Sequence, residues 1–175
     1  MGIGSLAGPV VAAAVILGES AIEGINDSKL LSPKTRERLA AQIEKTALSH
    51  AIAWASVEEI DEMNIYHAAK LAMKRAVSQL CLRPDFLLID GRDQIQMEID
   101  QLAIVKGDRR SVSIAAASII AKVHRDRWMT ELDSQYPGYH LAKHKGYASL
   151  EHRTCLTQLG PSNLHRKSFQ WKPVY

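Results

Sequence analysis

The sequence predicts an α/β protein in which helices cover a central sheet. Short apolar segments rich in Val, Ile and Leu alternate with longer segments whose apolar residues recur at helical spacing. The length of 175 residues suits one domain, and 46% hydrophobic with 23% charged residues is an ordinary globular composition. No internal repeat or Gly/Ser-rich linker divides the chain, so we expect one domain over residues 1–175.

Three elements are predicted in the first third of the chain. Residues 8–17 form a short apolar run bounded by turn residues, which is typical of a buried strand. A helix should begin at Pro33, because Ser32 is a good capping residue and proline is favoured at the first helical position. That helix should end near His50. Residues 51–57 alternate weakly and predict a second strand.

The remaining chain continues the alternation. Apolar residues at helical spacing predict a helix over residues 65–82, directly after an acidic segment at 58–62. Two short apolar runs predict strands at residues 86–89 and 102–105. An Ala-rich segment predicts a helix at residues 112–133, and a short apolar segment predicts another at 149–159. The order of the strands in the sheet does not follow from the pattern.

Cysteine content and hydropathy exclude several classes of protein. Cys81 and Cys155 lie far apart and have no metal-ligand spacing, so we expect reduced residues that serve packing in the cytoplasm. The longest apolar run, residues 9–17, is about half of what a membrane span needs. No basic segment precedes it as in a signal peptide.

The charge is distributed unevenly along the chain. Residues 1–100 carry 10 Lys and Arg against 14 Asp and Glu, whereas residues 101–175 carry 12 against 5. A basic C-terminal part suits a polyanionic partner, although a solvated basic surface without a partner explains the charge equally well.

Two carboxylates follow predicted strands and are candidates for a metal site. Asp90 comes directly after the run at 86–89 and precedes a glycine, and Asp108 follows the run at 102–105 by a short turn. Hard divalent cations prefer oxygen ligands and accept substrate phosphates among them. The alternatives are an Asp-Gly turn for Asp90 and a helix N-cap for Asp108.

Two basic segments are candidates for contacts with phosphates. Lys122 and Arg125 lie at the end of a stretch dense in small residues, and Asp126 is expected to pair with them. The alternative is an ordinary Ala-rich helix. Residues 143–147 join two cations to Tyr147 on an expected loop, a combination that clamps a sugar-phosphate backbone and stacks on a sugar or base. The seven histidines show no metal-ligand spacing.

Seven short motifs follow one another along nearly the whole chain. They are GIGSLAGPVV at 2–11, NDSK at 26–29, NIYHA at 64–68, LIDG at 88–91, KGD at 106–108, AASIIAKV at 116–123 and HKGY at 144–147. Each motif is weak alone, but in this order they resemble the ribonuclease HII family, the type 2 ribonucleases H. No Walker motif, nucleophile elbow or dinucleotide fingerprint competes with this resemblance.

The resemblance implies a ribonuclease H-like fold, with a five-stranded mixed sheet flanked by helices and a small helical extension over about residues 138–175. It also implies cleavage of the RNA strand of RNA/DNA hybrids and at single ribonucleotides embedded in duplex DNA, leaving a 3′-hydroxyl and a 5′-phosphate. In this family two Mg²⁺ or Mn²⁺ ions, held by four carboxylates, activate a water for attack on the phosphodiester.

Asp90 and Asp108 match two of those four carboxylates, so the resemblance makes them catalytic residues and metal ligands. The glycine-rich loop of the family touches the ribose 2′-hydroxyl, and a tyrosine that corresponds to Tyr147 stacks on the deoxyribose after the ribonucleotide. The substrate-binding positions implied here are Gly2, Ile3, Gly4, Lys29, Lys122 and Tyr147.

Two departures from the family pattern affect the site. The family motif is Asp-Glu-x-Gly-Arg-Gly, and this sequence begins with Met1 at the x position and has Ile3 in place of the arginine. Without the Asp-Glu pair we expect the central first strand and two metal ligands to be missing, so that the chain as given is destabilised and inactive or nearly so. From Ile3 we expect weakened or altered recognition of the 2′-hydroxyl.

Several readings of these departures stay open. The sequence can start at an internal methionine of a longer protein or belong to a shortened one. Three functional hypotheses follow. The protein is an endonuclease that an upstream Asp-Glu segment completes, a module that binds hybrids without catalysis, or a degraded gene product. We expect a monomer with no membrane contact. A sliding-clamp partner is possible but unsupported, because the tail at 171–175 is too short to judge.

Overall fold

The computed structural model describes residues 1–19 and 22–174. Strands and helices alternate as predicted from the sequence. In chain order the elements are β1 Val10–Ile16, α1 Pro33–Thr46, β2 Ser49–Ala55, α2 Val57–Ser78, β3 Phe86–Asp90, β4 Asp100–Ile104, α3 Val112–Gln135, α4 Leu141–His144 and α5 Leu150–Leu159. A single 3₁₀ turn, Gly107–Arg109, joins β4 to α3.

Helix α2 begins eight residues earlier than its apolar stripe predicts. Ser56 and Glu59 form a capping box, in which the Ser56 hydroxyl accepts from the Glu59 N–H and the Glu59 carboxylate accepts from the Ser56 N–H. The acidic segment is therefore the first turns of the helix. Asn64 has φ +67° and interrupts the helix, and its side-chain oxygen accepts from the N–H groups of Tyr66 and His67. The predicted start at residue 65 is this restart.

Two other predictions are wrong at the level of single turns. Helix α1 ends at Thr46 rather than near His50, because Ser49 already pairs with Ile16 in the sheet. The expected loop at 143–147 contains the end of α4, a single turn that buries Leu141 completely. A four-residue helix is too short for its periodicity to be visible in the sequence.

The sheet is divided into two halves. Strands β1 and β2 pair antiparallel, with Val10 opposite Ala55, and β3 and β4 pair parallel, with Phe86 opposite Asp100. Among the described residues no strand joins β1 to β3, and a groove of about 720 Å³ separates them.

Helices cover both sides of the β1–β2 pair. Helix α2 packs against β1 and β2, and α3 packs against β1 and α1. The α1–α3 contact is a cluster of completely or almost completely buried aliphatic side chains, which includes Leu39, Ile43 and Ile119. Burial of α3 on several sides explains why its apolar residues show no single stripe.

The cysteines are free, as expected, but only one of them serves packing. Cys155 is buried in α5, whereas Cys81 is exposed, with its Sγ 3.1 Å from the Ser49 hydroxyl. None of the helices within the described ranges is long and apolar enough to cross a membrane.

Candidate active site

Asp90 and Asp108 come together where β3 ends and the 3₁₀ turn begins. Asp90 is the last residue of β3, and its Oδ1 accepts from the Gly107 N–H at 2.9 Å. Partial burial raises the pKa of Asp90; the Gly107 hydrogen bond opposes this, and the charge of nearby Asp108 adds to it. The two carboxylates are thus near enough for their charges to repel, and a bound cation would relieve this repulsion.

The alternative explanation of Asp108 as a helix N-cap is wrong. The cap of α3 is Ser111, whose hydroxyl accepts from the Ile114 N–H. Asp108 is instead buried, with only 7% of its surface exposed, and its nearest cation is the Lys29 ammonium, 3.8 Å from Oδ2.

A third carboxylate, which is fully buried, places Lys29 at the site. Asp27 accepts from the Lys29 N–H through Oδ1 and from Arg109 Nε through Oδ2, both at 3.0 Å. The backbone bond from Lys29 and the Arg109 guanidinium hold the pKa of Asp27 below its usual range. Because Arg109 is next to Asp108 in the chain, the bond between Arg109 and Asp27 joins the loop at 26–29 to the turn that carries Asp108. No local sequence pattern predicts a role for Asp27 or Arg109.

The donor set suits one divalent cation shared with a phosphate. Mg²⁺ commonly takes one or two protein carboxylates and completes its shell with water and substrate oxygens, a requirement that Asp90 and Asp108 meet. Within residues 1–19 and 22–174, no cluster of three or more His, Cys, Asp or Glu is present that would hold a metal more fully. Two ions would need further carboxylates.

The glycine-rich loop at residues 2–4 lies against a buried arginine. Gly2 has φ +85°, and a Cβ there would lie 2.2 Å from Arg125 Nε, so only glycine fits. Gly4 faces open space, and the Ile3 side chain is 55% exposed. The loop therefore presents its backbone and an apolar side chain to solvent.

Arg125 and Arg166 stabilise this loop by hydrogen bonds from the protein interior. Arg125 donates to the carbonyls of Pro9, Ala7 and Lys145 and to the Ser5 hydroxyl, at 2.8–3.1 Å. Arg166 donates to the Ile3 and Gly8 carbonyls. Burial lowers the pKa of both guanidinium groups, that of Arg166 to about 9. The expectation that Arg125 faces phosphates is wrong, because it is 1% exposed and directed at the backbone.

Tyr147 stands beside the loop with two cations against its ring. Ser5 and Tyr147 form an isolated β-bridge, and the Lys122 ammonium and Arg125 guanidinium lie 5.6 and 5.5 Å from the centre of the ring. Lys122 also pairs with Asp126 at 2.8 Å, as predicted. The glycine loop, Lys122 and Tyr147 are thus neighbours.

Gly146 makes the close approach of Tyr147 to the loop possible. Its N–H bonds to His144 and its carbonyl accepts from Leu6 and Ala7, while a Cβ on it would lie 2.5 Å from the Ala7 carbonyl oxygen. We expect Gly146→Ala, at φ +81°, to destabilise the protein by about 2–3 kcal/mol through backbone strain and displacement of residue 7. Urea denaturation measures this, with Gly4→Ala as the matched control; equal stabilities of the two variants would contradict the assignment.

Three buried or half-buried histidines support the backbone of Tyr147. His165 Nδ1 accepts from the Ser162 N–H, so its Nε2 donates to His152 Nε2 at 3.0 Å, and His152 Nδ1 then donates to the Tyr147 carbonyl. His144 accepts from Gly146 and stacks on His152, with ring centres 4.2 Å apart. This chain of hydrogen bonds requires all three rings to be neutral.

The free energy of unfolding should therefore decrease as the pH falls below about 6.5. Burial lowers the pKa of the three histidines, that of His165 to about 4. Between pH 6.5, the usual histidine pKa in the unfolded chain, and pH 4, the unfolded chain binds more protons at His165 than the folded chain does. The contribution of His165 to stability is therefore complete above pH 6.5 and falls with pH by up to about 1.4 kcal/mol per unit, and His144 and His152 act in the same direction. Urea midpoints at pH 7, 6 and 5 test this, and exposed His50→Gln should leave the slope unchanged. A flat profile would refute it.

A family model described as Ribonuclease HII matches residues 1–172. The chain belongs to the ribonuclease HII family. It is 52% identical over 170 residues to a Ribonuclease HII of Myxococcus xanthus (strain DK1622), covering 96% of this chain and 58% of that protein. It is 50% identical over 169 residues to a Ribonuclease HII of Caldicellulosiruptor saccharolyticus, covering 96% of this chain and 82% of the relative.

The fold agrees with ribonuclease HII structures as well. A structure of the PCNA:RNase HII complex from Archaeoglobus fulgidus superposes with a TM-score of 0.78 at 27% identity, covering 95% of this chain and 89% of that one. The fold is ribonuclease H-like, as the sequence resemblance implied. The chain spans about three fifths of the M. xanthus ribonuclease HII.

Proposed function

We propose that this ribonuclease HII family member is a metal-dependent endonuclease that cleaves the RNA strand of RNA/DNA hybrids and duplex DNA at embedded ribonucleotides. The observation that carries the proposal is that Asp90 and Asp108 lie close together. Asp90 accepts a hydrogen bond from the Gly107 N–H, and Asp108 lies 3.8 Å from the Lys29 ammonium. A pair of acids at the end of a strand, next to cations and an aromatic ring, suits hydrolysis of a phosphodiester.

Asp90 and Asp108 are the proposed metal ligands and catalytic residues. A Mg²⁺ or Mn²⁺ ion there would polarise a phosphoryl oxygen and activate water for in-line attack. Asp90 keeps Oδ2 free of the Gly107 bond, and Asp27 keeps Lys29 close to Asp108. The two-metal form of the reaction needs two more carboxylates than the described residues place at this site.

The proposed substrate contacts lie along one path beside the acids. Backbone groups of Gly2, Ile3 and Gly4 face the ribose, and Tyr147 stacks on the next sugar. Lys122 is positioned between Asp126 and the Tyr147 ring, so it would exchange the carboxylate for a phosphate when a nucleic acid binds.

A second function is favoured by the same donor set. Because the described residues supply two carboxylates, the 175-residue chain would bind a hybrid through its cations and Tyr147 without cutting it. The two functions share the binding surface and differ only in metal-dependent chemistry.

One experiment separates the two functions. A fluorescent RNA/DNA hybrid and a DNA duplex with one ribonucleotide are incubated with the 175-residue chain, and with the same chain preceded by an apolar strand ending in Asp-Glu, with and without Mn²⁺. The endonuclease predicts metal-dependent products with 5′-phosphate ends from the extended chain. Salt-dependent binding without products from either chain supports the binding module, and the absence of binding refutes both.

The position of Ile3 allows a direct test of ribose recognition. Its side chain is exposed, whereas its carbonyl accepts from Arg166, so substitution should leave the loop in place. We expect Ile3→Arg to strengthen binding of duplex DNA with one ribonucleotide by about tenfold, since one charged hydrogen bond contributes about 1.5 kcal/mol. Anisotropy titrations measure it, with exposed Ala148→Arg as a control for added charge; an equal gain from both variants would contradict the role of position 3.

The remaining proposals concern partners and compartment. We propose a monomer that acts on nucleic acid in the cytoplasm, with residues 138–175 as a C-terminal extension of one domain. The relative from A. fulgidus was solved as a complex with PCNA. The tail of this chain supports no such assignment, and Tyr175 lies outside the described residues.

A further inference from the structure

Two histidine rings bind the backbone on either side of the Tyr147 side chain. His152 Nδ1 donates to the Tyr147 carbonyl at 3.0 Å, and the Ser149 N–H donates to the same oxygen at 2.8 Å. His144 Nδ1 accepts from the N–H of Gly146, the residue before Tyr147. The direction in which the Tyr147 ring leaves the backbone therefore depends on His144 and His152.

A third ring keeps His152 in the tautomer that makes this bond. The Ser162 N–H donates to His165 Nδ1 at 3.0 Å, so His165 carries its proton on Nε2. His165 donates that proton to His152 Nε2, also at 3.0 Å, and the His152 proton is left on Nδ1, where it faces the Tyr147 carbonyl. His152 and His165 are 0% and 4% exposed, so water does not compete for these nitrogens.

The histidine network, which consists of His144, His152 and His165, has no free nitrogen for a second proton. Each ring already accepts a hydrogen bond through its unprotonated nitrogen. The donors are the Gly146 N–H for His144, His165 Nε2 for His152 and the Ser162 N–H for His165. A proton added to an accepting nitrogen would point at that donor, and an attractive contact would become a repulsive one.

Few charged groups lie around the histidine network. The titratable neighbours are Asp133 of α3, Tyr139, His140, Lys143 and Glu151 of α5. The two carboxylates favour a proton on the half-buried ring, His144, whereas burial is the largest influence on all three rings and lowers the pKa of each. The network is therefore neutral at pH 7 and takes up protons only in acid.

We propose that His144, His152 and His165 are positioning residues for Tyr147, whose ring is placed for stacking on a sugar of the nucleic acid only while all three histidines are neutral. This inference rests on the proposed contact between Tyr147 and the substrate. The Lys122 ammonium lies 5.6 Å from the centre of the same ring, so displacement of the ring would also disturb this cation. The network thus makes nucleic-acid binding depend on pH although none of its histidines touches the substrate.

Binding measurements test the dependence on pH. The dissociation constant of a fluorescent DNA duplex with one ribonucleotide is measured by anisotropy at pH 7, 5.5 and 4.5, for the wild-type chain and for Tyr147→Ala. The wild-type chain should bind roughly tenfold more tightly at pH 7 and less than about threefold more tightly at pH 4.5. The ratio of the two constants cancels the general gain of positive charge in acid, which strengthens binding of both proteins. A ratio that stays the same at all three pH values would overturn the proposal.

The ring is also followed without nucleic acid, so that this inference and the proposed function can fail separately. The chain has five tyrosines, and the fluorine NMR signal of Tyr147 in protein labelled with fluorotyrosine is the one lost in Tyr147→Phe. This signal should shift or broaden between pH 7 and pH 4.5, and the change should persist in the control His67→Gln, which removes an exposed histidine. An unchanged Tyr147 signal, or the collapse of all five signals together, would contradict the positioning role. A moving signal without any duplex binding would refute the proposed function alone.

Substitutions at position 152 distinguish positioning from general stability. His152→Asn keeps an N–H donor near the place of Nδ1 and does not titrate, so it should bind the duplex within about threefold of the wild type at pH 7 and show a weaker response to pH. His152→Leu removes the donor and should weaken binding about tenfold, with no further loss when it is combined with Tyr147→Ala. Additive losses would show that His152 acts elsewhere. If His152→Leu fails to fold, His152→Asn and the wild-type pH series still decide the matter.

Discussion

Replacing Asp90 by Asn should abolish metal-dependent cleavage while the protein stays folded. The amide keeps a carbonyl oxygen to accept from the Gly107 N–H, so the turn before α3 retains its geometry. It removes one of two negative charges that would hold a cation. Metal ions contribute several kcal/mol to stabilising a phosphoryl-transfer transition state, so the rate should fall by at least about 100-fold.

Two measurements make this prediction decisive. Cleavage is followed in the chain extended by an Asp-Glu strand, and Mn²⁺ binding is followed by calorimetry in the 175-residue chain. Asp93→Asn is the control, since Asp93 is exposed and bonds only to the Tyr66 hydroxyl. Relief of the repulsion between Asp90 and Asp108 should leave the unfolding midpoint unchanged or slightly higher. Normal cleavage or normal Mn²⁺ binding by Asp90→Asn would show that the metal site lies elsewhere.

The second large effect is expected at Arg125. Arg125→Met keeps the length of the side chain but leaves three carbonyls and the Ser5 hydroxyl without their donor in a buried region. A buried polar group left unpaired costs about 1–3 kcal/mol, so the free energy of unfolding should fall by at least about 3 kcal/mol. That is a large part of the stability of a typical domain.

The controls distinguish the hydrogen bonds from the charge. Arg127→Met removes an exposed arginine from the same helix and should have little effect. Arg125→Lys keeps the charge but reaches fewer acceptors, so it should be intermediate in stability. If Arg125→Met fails to fold, the lysine variant still decides the matter, because wild-type stability in Arg125→Lys would show that charge alone is needed.

The elements that the sequence predicts well are those with a strong local signal. Ser32 before Pro33 predicts the first residue of α1 correctly, and the apolar run before Asp90 predicts β3. The apolar stripe does not predict the start of α2, because the stripe begins later than the helix, although Ser56 and Glu59 have the spacing of a capping box. Helix α4 has no comparable signal in its four residues.

Long-range contacts explain what the sequence leaves out of the site. Asp27 and Arg109 meet across 82 positions, and no local pattern shows that they join the loop at 26–29 to Asp108. Because Arg125 follows Lys122 in a basic segment, the sequence predicts that both contact phosphates. The two residues are three positions apart, so they lie on the same face of α3 and both approach the Tyr147 ring. Arg125 differs because it donates to the buried glycine loop, whereas Lys122 pairs with Asp126, and no local pattern distinguishes these roles.

The bonds from Arg125 and Arg166 to the glycine loop also constrain when that loop acquires its shape. They join residues 3–9 to positions 116 to 163 residues further along the chain. Contacts of such sequence separation form late, because the entropy of closing the intervening loop must be overcome first. During synthesis the loop therefore waits until the segment that carries Arg166 has been made, and a polypeptide that stops short of Arg166 cannot order it.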